Sequence, residues 1–159
     1  MSDDFLTRIK EMKQKENEMD ADVKATKKAW DENIEKHKAE KQKIKEMLNS
    51  ELKKVVEVYT DKSVGEYDRP SLRIEENSVY LSVPIVRSHS HISYGLYFSL
   101  KLTEKGYGLS VHGAGRDGFI EPPVTTDAIQ KEVEEFLKAR NFEIENMVRA
   151  EKKYAKERS

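Results

Sequence analysis

The 159-residue chain contains no cysteine. That absence excludes disulfide frameworks, thiolate-ligated zinc, iron–sulfur clusters and thiol nucleophiles together, and it fits a reducing, cytoplasmic setting. Long apolar runs are missing as well. No uninterrupted apolar stretch exceeds four residues, and the start is acidic (Ser2, Asp3, Asp4) where a secretion signal is basic and then apolar. Neither a membrane span nor a leader is expected, and a membrane is not an expected partner. The chain also lacks an excess of positive charge. Its 29 Lys and Arg stand against 30 Asp and Glu, for a net charge of −1, which leaves no basic surplus for binding duplex phosphates. Nucleic acid is therefore not an expected partner. Hydrophobic residues make up only 36%, too few for a wholly compact chain, so part of it is expected to be extended.

Glycine and proline are absent from residues 1–64. All seven Gly and all four Pro fall between Gly65 and Pro123. Charge follows the same division: 30 of the first 64 residues are charged, against 13 of the next 62 and 16 of the last 33. Backbone breakers confined to the middle predict a polar helical arm (1–64), a compact β head (65–126) and a C-terminal helix (127–159) that completes the head.

In the arm, Phe5, Ile9, Met12, Met19, Val23, Trp30, Ile34, Ile44, Leu48 and Val55 recur at alternating steps of three and four, the spacing of a coiled coil. Glu16, Thr26, His37, Lys41 and Glu51 interrupt this seam, and the passage from Trp30 to Ile34 departs from the strict heptad like a stutter. As one helix the arm would reach roughly 80 Å. It could not bury its stripe on a small head along that length, so it needs a partner helix. A second copy, the C-terminal helix folding back, and its own first half through a bend near Asp20 to Asp22 are the candidates. Self-association, as a dimer, is preferred because no Gly, Pro or Asn-Gly marks a hairpin turn. The spacing is satisfied by parallel and antiparallel pairing alike.

The head reads as an antiparallel meander of four strands over 72–74, 79–86, 92–102 and 107–111. Val79, Leu81, Val83 and Ile85, then Leu96, Phe98 and Leu100, then Tyr107, Leu109 and Val111 make one face apolar, while Tyr80, Ser82, Tyr97, Ser99, Ser110 and His112 share the other. The C-terminal helix carries a stripe from Ile129 through Val133, Phe136, Leu137 and Ile144 to Tyr154, with Asp127 and Gln130 spaced as a loose capping box. It is expected to pack on the apolar sheet face and back along the arm.

Residues 113–118 match G-x-G-x-x-G after a strand, but Pro122-Pro123 forbids the helix that a dinucleotide site requires, and a glycine-rich surface loop is the simpler expectation. Arg87, His89 and His91 lie in the connection between the second and third strands. If Leu100 pairs with Leu109, continuing that register past Gly113 carries Arg116 and Asp117 toward the same end of the sheet, where two arginines and two imidazoles could grip a phosphate or carboxylate beside Tyr97 as a stacking surface. A His-x-His metal site with Asp117 is the weaker version, and His91-Ile92-Ser93 lacks the second copy that a two-histidine phosphoesterase needs. No G-x-S-x-G, H-E-x-x-H or Walker sequence occurs.

The expectation from sequence is an α+β protein with a coiled-coil-like arm, without catalytic residues, metal or cofactor. It would be a non-enzymatic homo-oligomeric binding or scaffold protein that self-associates through Ile9, Met12, Met19, Val23, Trp30, Ile34, Ile44 and Leu48, its head presenting a surface to a protein or ligand. The alternative is a binder or hydrolase of a phosphorylated, nucleotide-like small molecule at Arg87, His89, His91, Arg116, Asp117 and Tyr97.

Overall fold

A computed structural model describes residues 2–61, 69–87 and 90–158, and the chain packs as two units, Met1–Lys38 and Ala39–Ser159. Among the described residues, three helices, a five-stranded antiparallel sheet and a two-stranded sheet make the protein α+β.

The first unit is helix α1 (Ser2–Lys36), one uninterrupted run of 35 residues without a breaker. Asp3 and Asp4 occupy its first turn and Lys36 its last, which complements the helix dipole at both ends. The bend considered near Asp20 does not occur, because nothing there interrupts the backbone ladder. Helix α1 ends before His37, whose N–H still donates to Asn33 O at 3.2 Å.

In the second unit, helix α2 (Lys38–Thr60) buries Ile44, Leu48, Leu52 and Val55 on one stripe. The sheet consists of β1 (Ser71–Ile74), β2 (Ser78–Ser82), β5 (Gly95–Thr103), β6 (Gly106–Gly113) and β7 (Arg116–Ile120), in the order β1-β2-β5-β6-β7. Among the described residues, strands β3 (Ile85–Arg87) and β4 (Ser90–Ile92) pair with each other in a separate two-stranded sheet. Helix α3 (Thr126–Arg158) follows.

The described strands, five in the main sheet and two beside it, correct the expected four, for two reasons. The long second strand splits at the Val83-Pro84 step, where proline has no N–H to give the ladder, and the third splits opposite it at Ser93-Tyr94. Ser82 faces Gly95, Val83 N donates to Tyr94 O at 2.8 Å, and Ile85 faces Ile92, so β3 and β4 continue one hairpin register past that break. The second reason lies at the G-x-G-x-x-G stretch, which is a hairpin. Gly113 pairs with Arg116, leaving a two-residue turn of Ala114 (φ 54°) and Gly115 (φ 74°) before β7. Positive φ at both central residues is the turn geometry that matches strand twist. A Cβ on Gly115 would meet no atom within 4 Å, so Gly115→Ala tests backbone strain alone. It is expected to destabilise this unit by about 1 kcal/mol in urea denaturation; an unchanged midpoint would disprove the turn assignment.

One core fills the space between the apolar sheet face and the two helices. Leu81, Phe98 and Leu109 from the sheet, Leu48 and Leu52 from α2, and Ile129 and Phe136 from α3 belong to one cluster and are all at most 1% exposed. Each such side chain contributes about 2 kcal/mol through burial. The helices also meet through polar contacts: Gln130 Nε2 donates to Glu51 Oε2 at 2.9 Å. That bond, with the ammonium of Lys54, holds the Glu51 carboxyl below its ordinary pKa. Gln130 is thereby turned away from the capping role read from the sequence. The helix is capped by Thr125, whose Oγ1 accepts from Ala128 N at 3.2 Å. Tyr94, whose ring is tilted 33° to that of Phe136 with centroids 5.2 Å apart, has its phenol pKa raised by burial and by Glu143. Among the described residues no helix is long and apolar enough to cross a membrane.

Candidate functional site

The sheet has one face on the core, and the residues that alternate with the core positions make up its other, open face. Strand alternation places a single transverse row on the open face: Arg73 on β1 faces Tyr80 on β2, which faces Tyr97 on β5, which faces His112 on β6, which faces Asp117 on β7. The Arg73 guanidinium lies 5.3 Å from the Tyr80 ring centroid, and the Tyr80 and Tyr97 rings are 6.2 Å apart at 51°. These are cation–π and tilted aromatic contacts, so the two rings form a braced shelf. Tyr80 also lies over Gly95, where a Cβ would overlap its hydroxyl, and Phe119 covers Gly108 in the same way. Small residues on this face thus let aromatic side chains lie flat across it.

At the other end of the row His112 Nδ1 contacts Asp117 Oδ1 at 2.7 Å and Nε2 contacts Ser110 Oγ at 2.8 Å. With Nδ1–H donating to the carboxylate, the neutral ring accepts the serine proton at Nε2, the connectivity of a nucleophile, a base and an orienting acid. Acyl transfer needs more than that connectivity. β6 is paired on both sides, so its N–H groups enter the ladders with β5 and β7 instead of converging on an oxyanion. The histidine and aspartate side chains are 52% and 87% exposed, which leaves the Asp117 charge in water. The arrangement orders polar groups on a surface; it does not enclose a reacting carbonyl.

The residues singled out from sequence are distributed as follows. Tyr97 and Asp117 belong to the transverse row, joined through His112, and the Leu100 to Leu109 register was read correctly. Arg87 makes a two-point contact with Glu151 of α3, Nη2 to Oε2 at 2.8 Å and Nε to Oε1 at 3.3 Å. Arg116 contacts Glu132, also on α3, at 3.4 Å. Nineteen residues separate these glutamates, about 28 Å along one helix, so the two arginines do not share an anion site. The expected grouping assumed that the strand runs on past Gly113; the chain instead reverses at Ala114-Gly115. His91 is exposed on β4 opposite Val86, and His89 lies outside the described residues. Among the described residues no group of three His, Cys, Asp or Glu side chains is placed to hold a metal.

The second candidate surface is on α1. Its apolar residues are all exposed: Phe5 57%, Ile9 45%, Met12 69%, Met19 61%, Val23 68%, Trp30 53% and Ile34 38%. Ile44 and Leu48, which share the seam spacing, are 2% and 0% exposed in the core of the second unit, so the free seam ends at Ile34. The depressions along α1, such as that lined by Arg8, Met12 and Lys15, are grooves between side chains of one helix and enclose nothing. Set against protein-family models, curated proteins and solved structures, the chain matches none.

Proposed function

We propose that this is a non-catalytic, self-associating binding protein. The seam of α1 joins copies of the chain, and the open sheet face, with Tyr80, Tyr97 and Phe119, serves as the contact surface for a protein or ligand. One observation carries the reading: seven large apolar side chains at coiled-coil spacing on one 35-residue helix are all more than a third exposed. Such a helix is marginal alone in water and gains most of its stability by burying its stripe. Exposure of Trp30 at 53% is of particular weight, since a large aromatic ring is the residue type that anchors interfaces.

The test is the mass of the full chain under native conditions at tens of micromolar. A dimer is expected, and Trp30→Ala or Val23→Asp should raise its dissociation constant at least tenfold, with the second unit still folded. A monomeric wild-type protein would sink the proposal. The phosphate-binding alternative is the weaker reading, because each of its arginines is already matched by a glutamate of α3.

A further inference from the structure

Resting on that self-association reading, we infer that the occupant of the α1 seam is a second copy of α1 running antiparallel, in one register, with the two-fold axis crossing between Asn17 and Glu18. Parallel and antiparallel pairs differ in which side chains meet, and the positions along α1 decide between them.

From Phe5 to Trp30 the seam is regular: Phe5, Ile9, Met12, Glu16, Met19, Val23, Thr26 and Trp30. These eight positions are symmetric about the point midway between residues 17 and 18. An antiparallel copy centred there sets Phe5 against Trp30, Ile9 against Thr26, Met12 against Val23 and Glu16 against Met19 of the second copy. Each polar seam residue then lies against an apolar one. A parallel pair in register instead sets Glu16 against Glu16, two carboxylates facing each other inside the seam, where like charges repel most strongly.

The flanks agree. Leu6, Lys13, Asp20 and Lys27 line one side of the seam, and Arg8, Lys15, Asp22 and Ala29 the other. In an antiparallel pair each flank meets the same flank of its partner. In the centred register Lys13 meets Asp20 and Lys15 meets Asp22, each twice by symmetry, giving four opposite-charge pairs. Leu6 with Lys27 and Arg8 with Ala29 complete the set, so no like charges meet. In a parallel pair the two flanks face each other five residues apart. Lys15 with Asp20 and Asp22 with Lys27 are favourable, but Arg8 meets Lys13 on both sides. Lys13 lies 3.7 Å from Glu16 on its own helix, at 66% and 61% side-chain exposure, a solvated contact that does not compete strongly with a pairing across the seam.

The centred register overlaps residues 2–33 of each copy, nearly the whole of the Ser2–Lys36 helix. A stretch of that length is about 48 Å, several turns beyond what a stable two-helix pairing needs. Breaks in the pattern fall outside it, since the departure from strict spacing comes only after Trp30.

Because the chain has no cysteine, single thiols can be introduced without a background. Full-length Met12→Cys and Val23→Cys chains would be oxidised separately and as a mixture, after the native mass of each is recorded. The antiparallel pair predicts a disulfide-linked dimer in the mixture and little in either chain alone, since like positions lie about 16 Å apart along the axis. Self-linking of Met12→Cys alone would overturn the orientation while leaving self-association standing; a monomeric mass would overturn both. Spin labels on Glu32→Cys, which lies off the seam, provide a second reading. They should report about 44 Å along the axis, and a separation of about 15 Å would identify a parallel pair and reject the inference.

Discussion

Replacing Leu48 by alanine is expected to lower the stability of the Ala39–Ser159 unit by about 3 kcal/mol and to leave the stoichiometry of the protein unchanged. Leu48 lies on the same three- and four-residue spacing as Trp30, yet it is 0% exposed, in one cluster with Leu52, Phe98, Leu109 and Phe136. Truncation removes its transfer energy and leaves a cavity among side chains that are themselves fully buried and cannot collapse far. In a unit of this size the loss should lower the melting temperature by about 10 °C. Trp30→Ala is expected to do the opposite, shifting the association equilibrium while the urea midpoint of the second unit stays put. The two variants therefore separate two roles that a single periodic pattern conceals. Dissociation of Leu48→Ala without loss of stability would show that α2 contributes to the interface between copies, and would contradict the core assignment.

Much of the architecture was legible because residue periodicity follows burial. Strand alternation placed Leu96, Phe98 and Leu100 on one face and Tyr97 and Ser99 on the other, and the pairing of Leu100 with Leu109 follows from the short turn after Thr103. Helical periodicity was equally clear, but it reports only that a stripe is apolar, not what covers it. Phe5 to Ile34 and Ile44 to Val55 read as one seam, whereas the second part is covered by the sheet and α3. β7 was missed for a different reason. A strand that opens Arg116-Asp117-Gly118 has little β propensity of its own, and the positive φ of Ala114 is adopted by a residue type that rarely takes it. Without that reversal Asp117 could not be placed beside His112, and Arg116 was carried to the wrong partner. The open-face row was half visible: Tyr80, Tyr97 and His112 were assigned to one face, while Arg73 and Asp117 entered it only through the pairing of the edge strands. Arg140 gave no signal at all, since an arginine among helical lysines and glutamates looks solvated.

Arg140→Met is expected to cost about 3 kcal/mol, more than any surface arginine of the chain. Arg140 is 2% exposed, and its Nε donates to Val83 O at 2.8 Å and its Nη2 to Pro84 O at 2.9 Å. Its guanidinium also lies 5.0 Å from the Tyr59 ring centroid. The two carbonyls belong to the step where the long hairpin leaves the main sheet, and Pro84 supplies no N–H there. The forked donor of α3 thus satisfies backbone acceptors in a buried place where a proline has broken the ladder. Methionine matches the stem but removes both charge-assisted bonds and strands two buried acceptors, which sets the size of the loss. Lysine keeps the charge but donates from one point to acceptors on adjacent residues, so Arg140→Lys should recover only part of the stability. Amide exchange supplies a readout that a general loss of packing would not move alone: Ile85 and Ile92, paired across β3 and β4, should lose protection before Leu96 and Phe98 in the main sheet. A methionine variant within about 0.5 kcal/mol of the parent, with protection unchanged at Ile85 and Ile92, would show that the hairpin is held by its own register and the Val83 to Tyr94 bond, with Arg140 a passenger in the core.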